Sequence, residues 1–367
     1  MSTSAVISAP RYRAVIIGSG SIGSAHAAGY AGAARIDLVA CADTVHEQAQ
    51  QLADRFGVKT VYTDYRRMLD TERPDIVSIC TWHPLHAAMT IAAAARQPRV
   101  ILCEKPMATS IGEAEDMETA CRRNGVRLAI GFQRRFLPAW VKTRDILRSG
   151  AIGTPVRLSH TRETGLLNAT SHGFDCMRFI LDDPKVEWVF AQVERKTDRY
   201  ERNIRCEDRV AGFLKFEDGV QANFQTDLVV GDWTWAFVQG TEGMIHFDDG
   251  WVKYFNAETA GWKEIPVDPV DPWVLQAEEL VDWIEERTEH RGRSENGMWT
   301  MHMMMGAYES ARCRELVRLP MHTRVNPLDL MVESGDLPVR YPGRYDVRSF
   351  LLKGESMRLD TSERVVP

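Results

Sequence analysis

Apolar runs of strand length alternate with helix-length amphipathic stretches through the first third of the chain. Residues 14–17, 38–42, 58–62, 76–80, 100–103 and 127–131 read as buried strands. Between them, 22–33, 47–56, 65–70, 85–95 and 111–124 read as helices, two of them followed by a stop glycine, Gly57 and Gly125. Strict strand–helix alternation implies βαβ units around a parallel sheet. After residue 150 the period shortens. Residues 155–160, 186–194, 209–216, 220–227, 235–239, 244–247 and 251–255 are strand-like, with turns such as Glu217-Asp218-Gly219 and Asp248-Asp249-Gly250 between some of them. Helices are expected at 172–181, 273–290 and 297–313. The fold class that follows is α/β. A doubly wound parallel sheet over 13–135 precedes an α+β domain over 136–322 with a large, mostly antiparallel open sheet. Residues 1–12 read as a flexible lead-in. Residues 323–367, broken by Pro327, Pro338 and Pro342, read as an arm that wraps a partner subunit or the first domain.

Composition narrows the function classes. A chain of 367 residues, 44% hydrophobic and 26% charged, has ample core for two domains. A net charge of -6 offers no basic surface for nucleic acid or for an anionic membrane. The cysteines (Cys41, Cys80, Cys103, Cys121, Cys176, Cys206, Cys313) are odd in number and form no C-x-x-C pair, which argues for a reducing compartment. Residues 1–12 lack the basic and apolar regions of a signal peptide, and the apolar stretch 87–95 is too short to span a bilayer. A cytoplasmic protein with neither a nucleic-acid nor a membrane partner is expected.

The candidate chemistry begins where the first strand ends. Gly18-Ser19-Gly20-Ser21-Ile22-Gly23 is a G-x-G-x-x-G loop between strand and helix. Gly18 permits the tight turn, Gly20 admits a pyrophosphate to the backbone, and Gly23 lets helix and strand pack closely. Ser21 and Ile22 open the helix, whose free N–H groups and dipole favour phosphate. Asp43 closes the next strand, where a carboxylate accepts from both adenosine ribose hydroxyls and repels a 2′-phosphate. Thr44 and Val45 follow rather than Arg or Lys, so NAD is expected over NADP.

Further along, Cys103-Glu104-Lys105-Pro106 follows a strand directly. With the glycine loop, this resembles the Gfo/Idh/MocA family of glucose–fructose oxidoreductase and inositol dehydrogenase, which carries an E-K-P signature at that place. Thr81-Trp82-His83-Pro84-Leu85-His86 is similar to the family's segment at a helix start, and Gly131-Phe132-Gln133-Arg134-Arg135-Phe136 to its domain crossing. Gly165–Asp175 is similar to its G-x-L-x-D-x-x-x-H-x-x-D helix, and Gly240–Gly243 and Tyr308–Arg312 also resemble it. The resemblance covers about residues 13–322.

It implies an NAD-dependent dehydrogenase that oxidises a secondary hydroxyl, or an anomeric carbon, of a sugar, glycoside, sugar nucleotide or cyclitol. It further implies a homodimer or homotetramer. Thr81, His83, His86, Glu104 and Lys105 become candidate cofactor contacts. Lys105, partly desolvated beside a cationic nicotinamide, would hold, polarise or deprotonate the reacting hydroxyl. His172 is the candidate general base, suited by an ordinary pKa of roughly 6.5. Asn168, His172 and Asp175 would share one helical face. Asn168 stands where the family pattern has Asp; it can donate and accept but cannot be a base. Asp175 would orient the imidazole or merely support the helix. Gln133 and Arg135 would touch nicotinamide or substrate, or else staple the two domains. Arg162 and Glu163 are substrate contacts or a solvated strand face. Trp233 and Trp235 would stack on a sugar or sit in the core. Met301, Met303, Met304 and Met305 read as packing, and no catalytic metal is expected.

Two other readings share this fold. One is a redox-neutral glycosidase or lyase working through a keto intermediate with retained NAD. The other is a non-catalytic NAD- or sugar-sensing protein.

Overall fold

A computed structural model describes residues 11–162, 165–226 and 235–346, with backbone only at Arg162, Trp235 and 342–346. Expectations for residues 1–10, Glu163, Trp233, the side chains of Arg162 and Trp235, and the tail beyond 346 lie outside the described residues.

The first half alternates as its pattern requires: β1 (Tyr12–Ile17), α1 (Ser21–Gly32), β2 (Ile36–Ala42), α2 (His46–Phe56), β3 (Thr60–Tyr62), α3 (Tyr65–Glu72), β4 (Ile76–Ile79), α4 (His86–Ala94), β5 (Val100–Glu104), α5 (Ile111–Arg123) and β6 (Arg127–Gly131). The strands pair in parallel in the order β3-β2-β1-β4-β5-β6. Successive strands are added toward one edge from β1 to β3 and toward the other from β4 to β6, so a crevice opens between β1 and β4 at the carboxyl ends of the strands.

Helix α6 (Pro138–Arg148) follows, to which the sequence pattern assigned nothing. Its signals are nonetheless present: Pro138 opens the first turn, and Ala139, Trp140, Thr143, Ile146 and Leu147 form the buried face. Then come β7 (Pro155–Arg162), α7 (Thr170–Ile180), β8 (Val186–Glu194), β9 (Thr197–Glu201), β10 (Ile204–Arg205), β11 (Arg209–Phe216), β12 (Gln221–Thr226), β13 (Trp235–Gly240), β14 (Gly243–Phe247), β15 (Val252–Asn256), β16 (Lys263–Ile265), α8 (Pro272–Ile284), α9 (Ser294–Cys313), β17 (Val317–Arg318), α10 (Pro327–Glu333) and β18 (Tyr341–Asp346). Nine strands form one sheet in the order β16-β15-β14-β13-β7-β12-β11-β8-β17. It is antiparallel except for the parallel pair β12–β7.

Helices α7 and α9 cover one face of this sheet. Along β11 the alternation is strict: Val210, Leu214 and Phe216 point into the core while Phe213 points out. On the outer face Phe213 pairs directly with Phe190, and Trp251, Phe255 and Trp262 are also exposed. Helix α9 is buried almost all round, and its Met301, Met303, Met304 and Met305 lie in the core.

Two later segments do not stay where their sequence neighbours lie. Helix α8 packs on α1 of the first half: a Cβ on Gly29 would stand 2.8 Å from the Trp273 carbonyl oxygen, and one on Gly32 2.5 Å from Val274. Arg35 joins the two helices through Glu278, Asp282 and Glu285. This helix stops at Ile284, short of the expected 290, because the chain turns through a left-handed Glu286 to bring Gly292 beside β6. The described part of the C-terminal arm begins against the first domain, where the Arg324 carbonyl accepts from Gly112 N at 2.8 Å and the Arg324 guanidinium pairs with Glu115 and Asp116 on α5. It then returns to β9, whose open edge β18 fills in parallel.

A candidate dinucleotide and hydride-transfer site

Each residue of the glycine loop meets a different constraint. Gly18 has φ +95°, and a Cβ there would lie 2.6 Å from the Cys80 carbonyl oxygen. A Cβ on Gly23 would lie 2.1 Å from the Gly18 oxygen. A Cβ on Gly20 would meet nothing within 4 Å, because the crevice opens above it. Gly20 is the N-cap of α1 and supplies no side-chain cap, which leaves the first N–H groups of the helix for a ligand. Asp43 accepts from Ser19 N at 2.8 Å and from Val45 N at 3.0 Å, so it braces the loop.

The crevice has a volume of about 560 Å³. Ser19, Gly20, Ser21 and Ile22 line it from β1, Thr81 and His83 from β4, and Glu104 and Lys105 from β5. Gln48, Gln51 and Arg55 on α2 also line it; sequence reasoning passed over them because they look like any solvated helix face. Thr81 Oγ1 is buried and has no partner among the described residues. A helix terminus without a cap, open space over Gly20 and an unpaired buried hydroxyl fit a dinucleotide pyrophosphate and its nicotinamide end.

Glu104 lines this crevice but turns its carboxylate into the protein. Oε1 meets His26 Nε2 at 3.0 Å, and Oε2 accepts from the backbone N of Lys105 at 3.2 Å. Burial raises the pKa of Glu104, but the His26 hydrogen bond and charge outweigh it and hold the carboxyl below its ordinary value. Glu104 therefore acts first as a brace under Lys105. His26 is tied to Ser78, and Ser78 to Tyr30. This relay was invisible in the sequence, where a lone histidine on a helix carries no signal.

His86 works similarly. Its ring nitrogens face the Pro106 carbonyl at 2.8 Å and the Thr81 carbonyl at 3.1 Å, joining the turns after β4 and β5. Burial pushes its pKa down. The Lys105–Pro106 peptide is cis. Lys105 is 9% exposed, and its Nζ donates to the Asn168 carbonyl at 3.4 Å.

Asn168 thus meets Lys105 across the two halves. It lies in the turn before α7 rather than on the helix, so the expected single face holds only for His172 and Asp175. His172 is buried, stands edge-on to Phe132 with ring centroids 6.1 Å apart, and does not line the crevice directly.

Asp175 and Arg135 are both fully buried and face each other. Arg135 Nε and Nη2 grip Asp175 at 2.7–2.9 Å. Nη1 and Nη2 also reach Asp183, and Nη1 reaches the Arg291 carbonyl. All five guanidinium hydrogens are thereby engaged. This corrects the expectation of Arg135 as a substrate contact; its alternative role as a staple is the one that fits. Asp175, gripped on both oxygens, supports α7 and does not reach the imidazole. Gln133 is half-buried at the domain crossing, and its Oε1 has no partner among the described residues.

The residue most clearly missed is Arg202, at the tip of the β9–β10 hairpin. It lines the crevice, and its Nη1 lies 2.8 Å from Asn168 Oδ1 and 3.0 Å from His83 Nε2. No metal-binding group of three His, Cys, Asp or Glu occurs among the described residues. No described helix is long and apolar enough to cross a membrane.

Comparison with known proteins agrees with this geometry. Residues 12–132 match the model of the Gfo/Idh/MocA oxidoreductase family, NAD-binding Rossmann fold, and residues 157–246 match the family's C-terminal domain. The chain belongs to the Gfo/Idh/MocA family. Like the family's members, it is an NAD(P)-dependent oxidoreductase, and its first domain is an NAD-binding Rossmann fold. It is 29% identical over 221 residues to the uncharacterized oxidoreductase YrbE of Bacillus subtilis, a match spanning 56% of this chain and 64% of that one. It is 26% identical over 323 residues to the 1,5-anhydro-D-fructose reductase of Ensifer adhaerens, spanning 81% of this chain and 95% of that one. Among solved structures, a levoglucosan dehydrogenase in complex with NADH and L-sorbose superposes with a TM-score of 0.78 at 20% identity. That superposition covers 86% of this chain and 100% of the other, and shows a shared fold.

Proposed function

We propose that this family member is an NAD-dependent dehydrogenase oxidising a secondary hydroxyl, or the anomeric carbon, of a sugar, glycoside, sugar nucleotide or cyclitol. The observation that supports it is the meeting at Asn168. The Lys105 ammonium from the nucleotide half reaches this residue, one turn ahead of His172 on the other half. Bound NAD supplies a hydride acceptor at nicotinamide C4. Lys105 holds the reacting hydroxyl, and His172 takes its proton as the carbinol hydrogen leaves with its electron pair. The product is a carbonyl. A carbohydrate substrate is in keeping with the names of the anhydrofructose reductase and the levoglucosan dehydrogenase.

The test is NADH formation across a panel of sugars and polyols, with product NMR to locate the carbonyl. Lys105→Met and His172→Ala should each lower turnover about 10²–10⁴-fold while NAD affinity stays within a factor of a few. Turnover that survives both substitutions rejects this site.

The same reading includes a homodimer or homotetramer, acting in a reducing cytoplasm. Phe190 and Phe213 are 39% and 51% exposed on the uncovered sheet face, a contiguous aromatic surface suited to a second copy. Phe213→Lys should lower the mass measured by light scattering; an unchanged oligomer places the interface elsewhere.

A further inference from the structure

We propose that Arg202 is a positioning residue of this site: it turns the Asn168 amide so that its N–H₂ serves the substrate, and it fixes His83 as the Nδ1–H tautomer. The inference rests on the dehydrogenase reading for the first half of the statement and on geometry alone for the second.

Arg202 and Asn203 form the two-residue turn between β9 and β10, with φ of +48° and +67°. Asparagine adopts this left-handed conformation readily and arginine does not. A backbone preference therefore does not account for Arg202, whereas its side chain has a specific destination. The hairpin beneath it is anchored on several sides. Lys196 N and Thr197 N donate to Asp208 at 2.5 and 2.9 Å. Arg195 Nε donates to the Cys206 carbonyl at 3.1 Å. Arg340 N and Tyr341 N donate to the Lys196 carbonyl at 2.8 and 3.0 Å, where β18 begins its parallel pairing with β9. Arg205 reaches Asp329 and Glu333 on α10. The C-terminal segment is thus a brace for the hairpin whose tip enters the crevice.

The chemistry at the tip follows from what a guanidinium can do. It donates and never accepts. The Asn168 atom that faces Nη1 at 2.8 Å must therefore be the carbonyl oxygen, Oδ1, which puts Nδ2 at the other end of the amide. No described group accepts from that Nδ2. Asn168 then meets a substrate as a hydrogen-bond donor, so the atom beside it is an acceptor: a ring, glycosidic or carbonyl oxygen, or a hydroxyl lone pair. The Asp of the family pattern at this position would impose the opposite requirement. By the same logic His83 Nε2, 3.0 Å from Nη1, carries a lone pair, so its proton is on Nδ1 and the ring is neutral.

Two measurements test this. In the first, kcat/KM is compared for wild type, Arg202→Gly, Arg202→Lys, Asn168→Ala, Asn168→Asp and the Arg202→Gly/Asn168→Ala double variant. Glycine removes the side chain while easing the left-handed turn, so the fold is not at risk. Arg202→Gly and Asn168→Ala should each lose about tenfold to a hundredfold, as expected for one charge-assisted hydrogen bond. The double variant should be no worse than the more damaged single, and Arg202→Lys should recover part of the loss. Asn168→Asp keeps an acceptor for Arg202 but offers the substrate no donor, and should be as poor as Asn168→Ala. Additive losses, or an active Asn168→Asp, overturn the amide assignment.

In the second, ¹⁵N-histidine NMR of the whole protein should show His83 as Nδ1–H in wild type, with Arg202→Gly moving it toward Nε2–H. An Nε2–H or doubly protonated His83 in wild type, or no change in the variant, overturns the tautomer assignment. If no sugar is turned over by wild type, the dehydrogenase reading and the amide assignment that depends on it fall together, and the tautomer result is still decided.

Discussion

Gly18, Gly20 and Gly23 share one loop but not one constraint, and substitutions separate them. A methyl on Gly23 collides with the backbone 2.1 Å away, whereas one on Gly20 enters open crevice. Gly23→Ala should therefore destabilise the fold by about 3 kcal/mol or more. Gly20→Ala should leave thermal unfolding nearly unchanged and weaken NAD binding by roughly tenfold, about 1.4 kcal/mol. Calorimetric unfolding and NAD titration on the two variants check both halves. All three glycines and Asp43 were legible in the sequence, because a phosphate loop is a local object whose spacing fixes its geometry. Arg135 and Asp175 were not. An arginine near a domain crossing and an aspartate near a histidine suggest chemistry, but their closed ion pair depends on Asp183 and the Arg291 carbonyl, both distant in sequence.

At the scale of elements, the turn that carries Asn168 is held by a group far along the chain. Glu207 is fully buried; it accepts from Leu166 N at 2.6 Å and from the Tyr308 hydroxyl on α9 at 2.5 Å. Burial raises its pKa, against the pull of those hydrogen bonds. Glu207→Ala would leave a buried N–H and a buried hydroxyl unpaired. It should cost about 3 kcal/mol in denaturant unfolding and lower turnover by loosening Asn168, with NAD affinity kept. A variant as stable as wild type would show that water or a neighbour replaces the carboxylate. The elements themselves were read well wherever period and length agreed, as in α5 with Ser110 at its N-cap. Pieces such as β9, β10 and β18 escaped notice because they are short and mostly polar, with no apolar run to mark them. Their strandedness comes from edges offered by neighbours.

The whole molecule responds to acid through histidines that folding has desolvated. Burial pushes His290 and His302 down to about 4. Such a histidine binds fewer protons folded than unfolded between that value and its ordinary 6.5. Stability from both is thus complete above about pH 6.5 and is lost as pH falls toward 4. The loss should be on the order of a few kcal/mol across that window, read as a falling urea midpoint. His290→Gln should flatten the profile in proportion; an unchanged slope would assign the acid sensitivity to other groups. The halves are also more interwoven than a boundary near 135 suggests. Helix α8 packs on α1, and α9 lies between the two sheets' layers.

By itself the sequence determined the alternation of short apolar runs with amphipathic helices, the glycine loop, the carboxylate that ends β2 and the strand-end lysine. These depend on residues within a few positions of one another, where backbone geometry leaves little choice. Only tertiary structure decided what reaches the crevice from afar and what is closed off from it. Arg202 arrives on a hairpin braced by the C-terminal strand, while Asp175 is sealed against Arg135. Both outcomes are set by long-range contacts between side chains, and local periodicity does not encode which partner a charged group will meet.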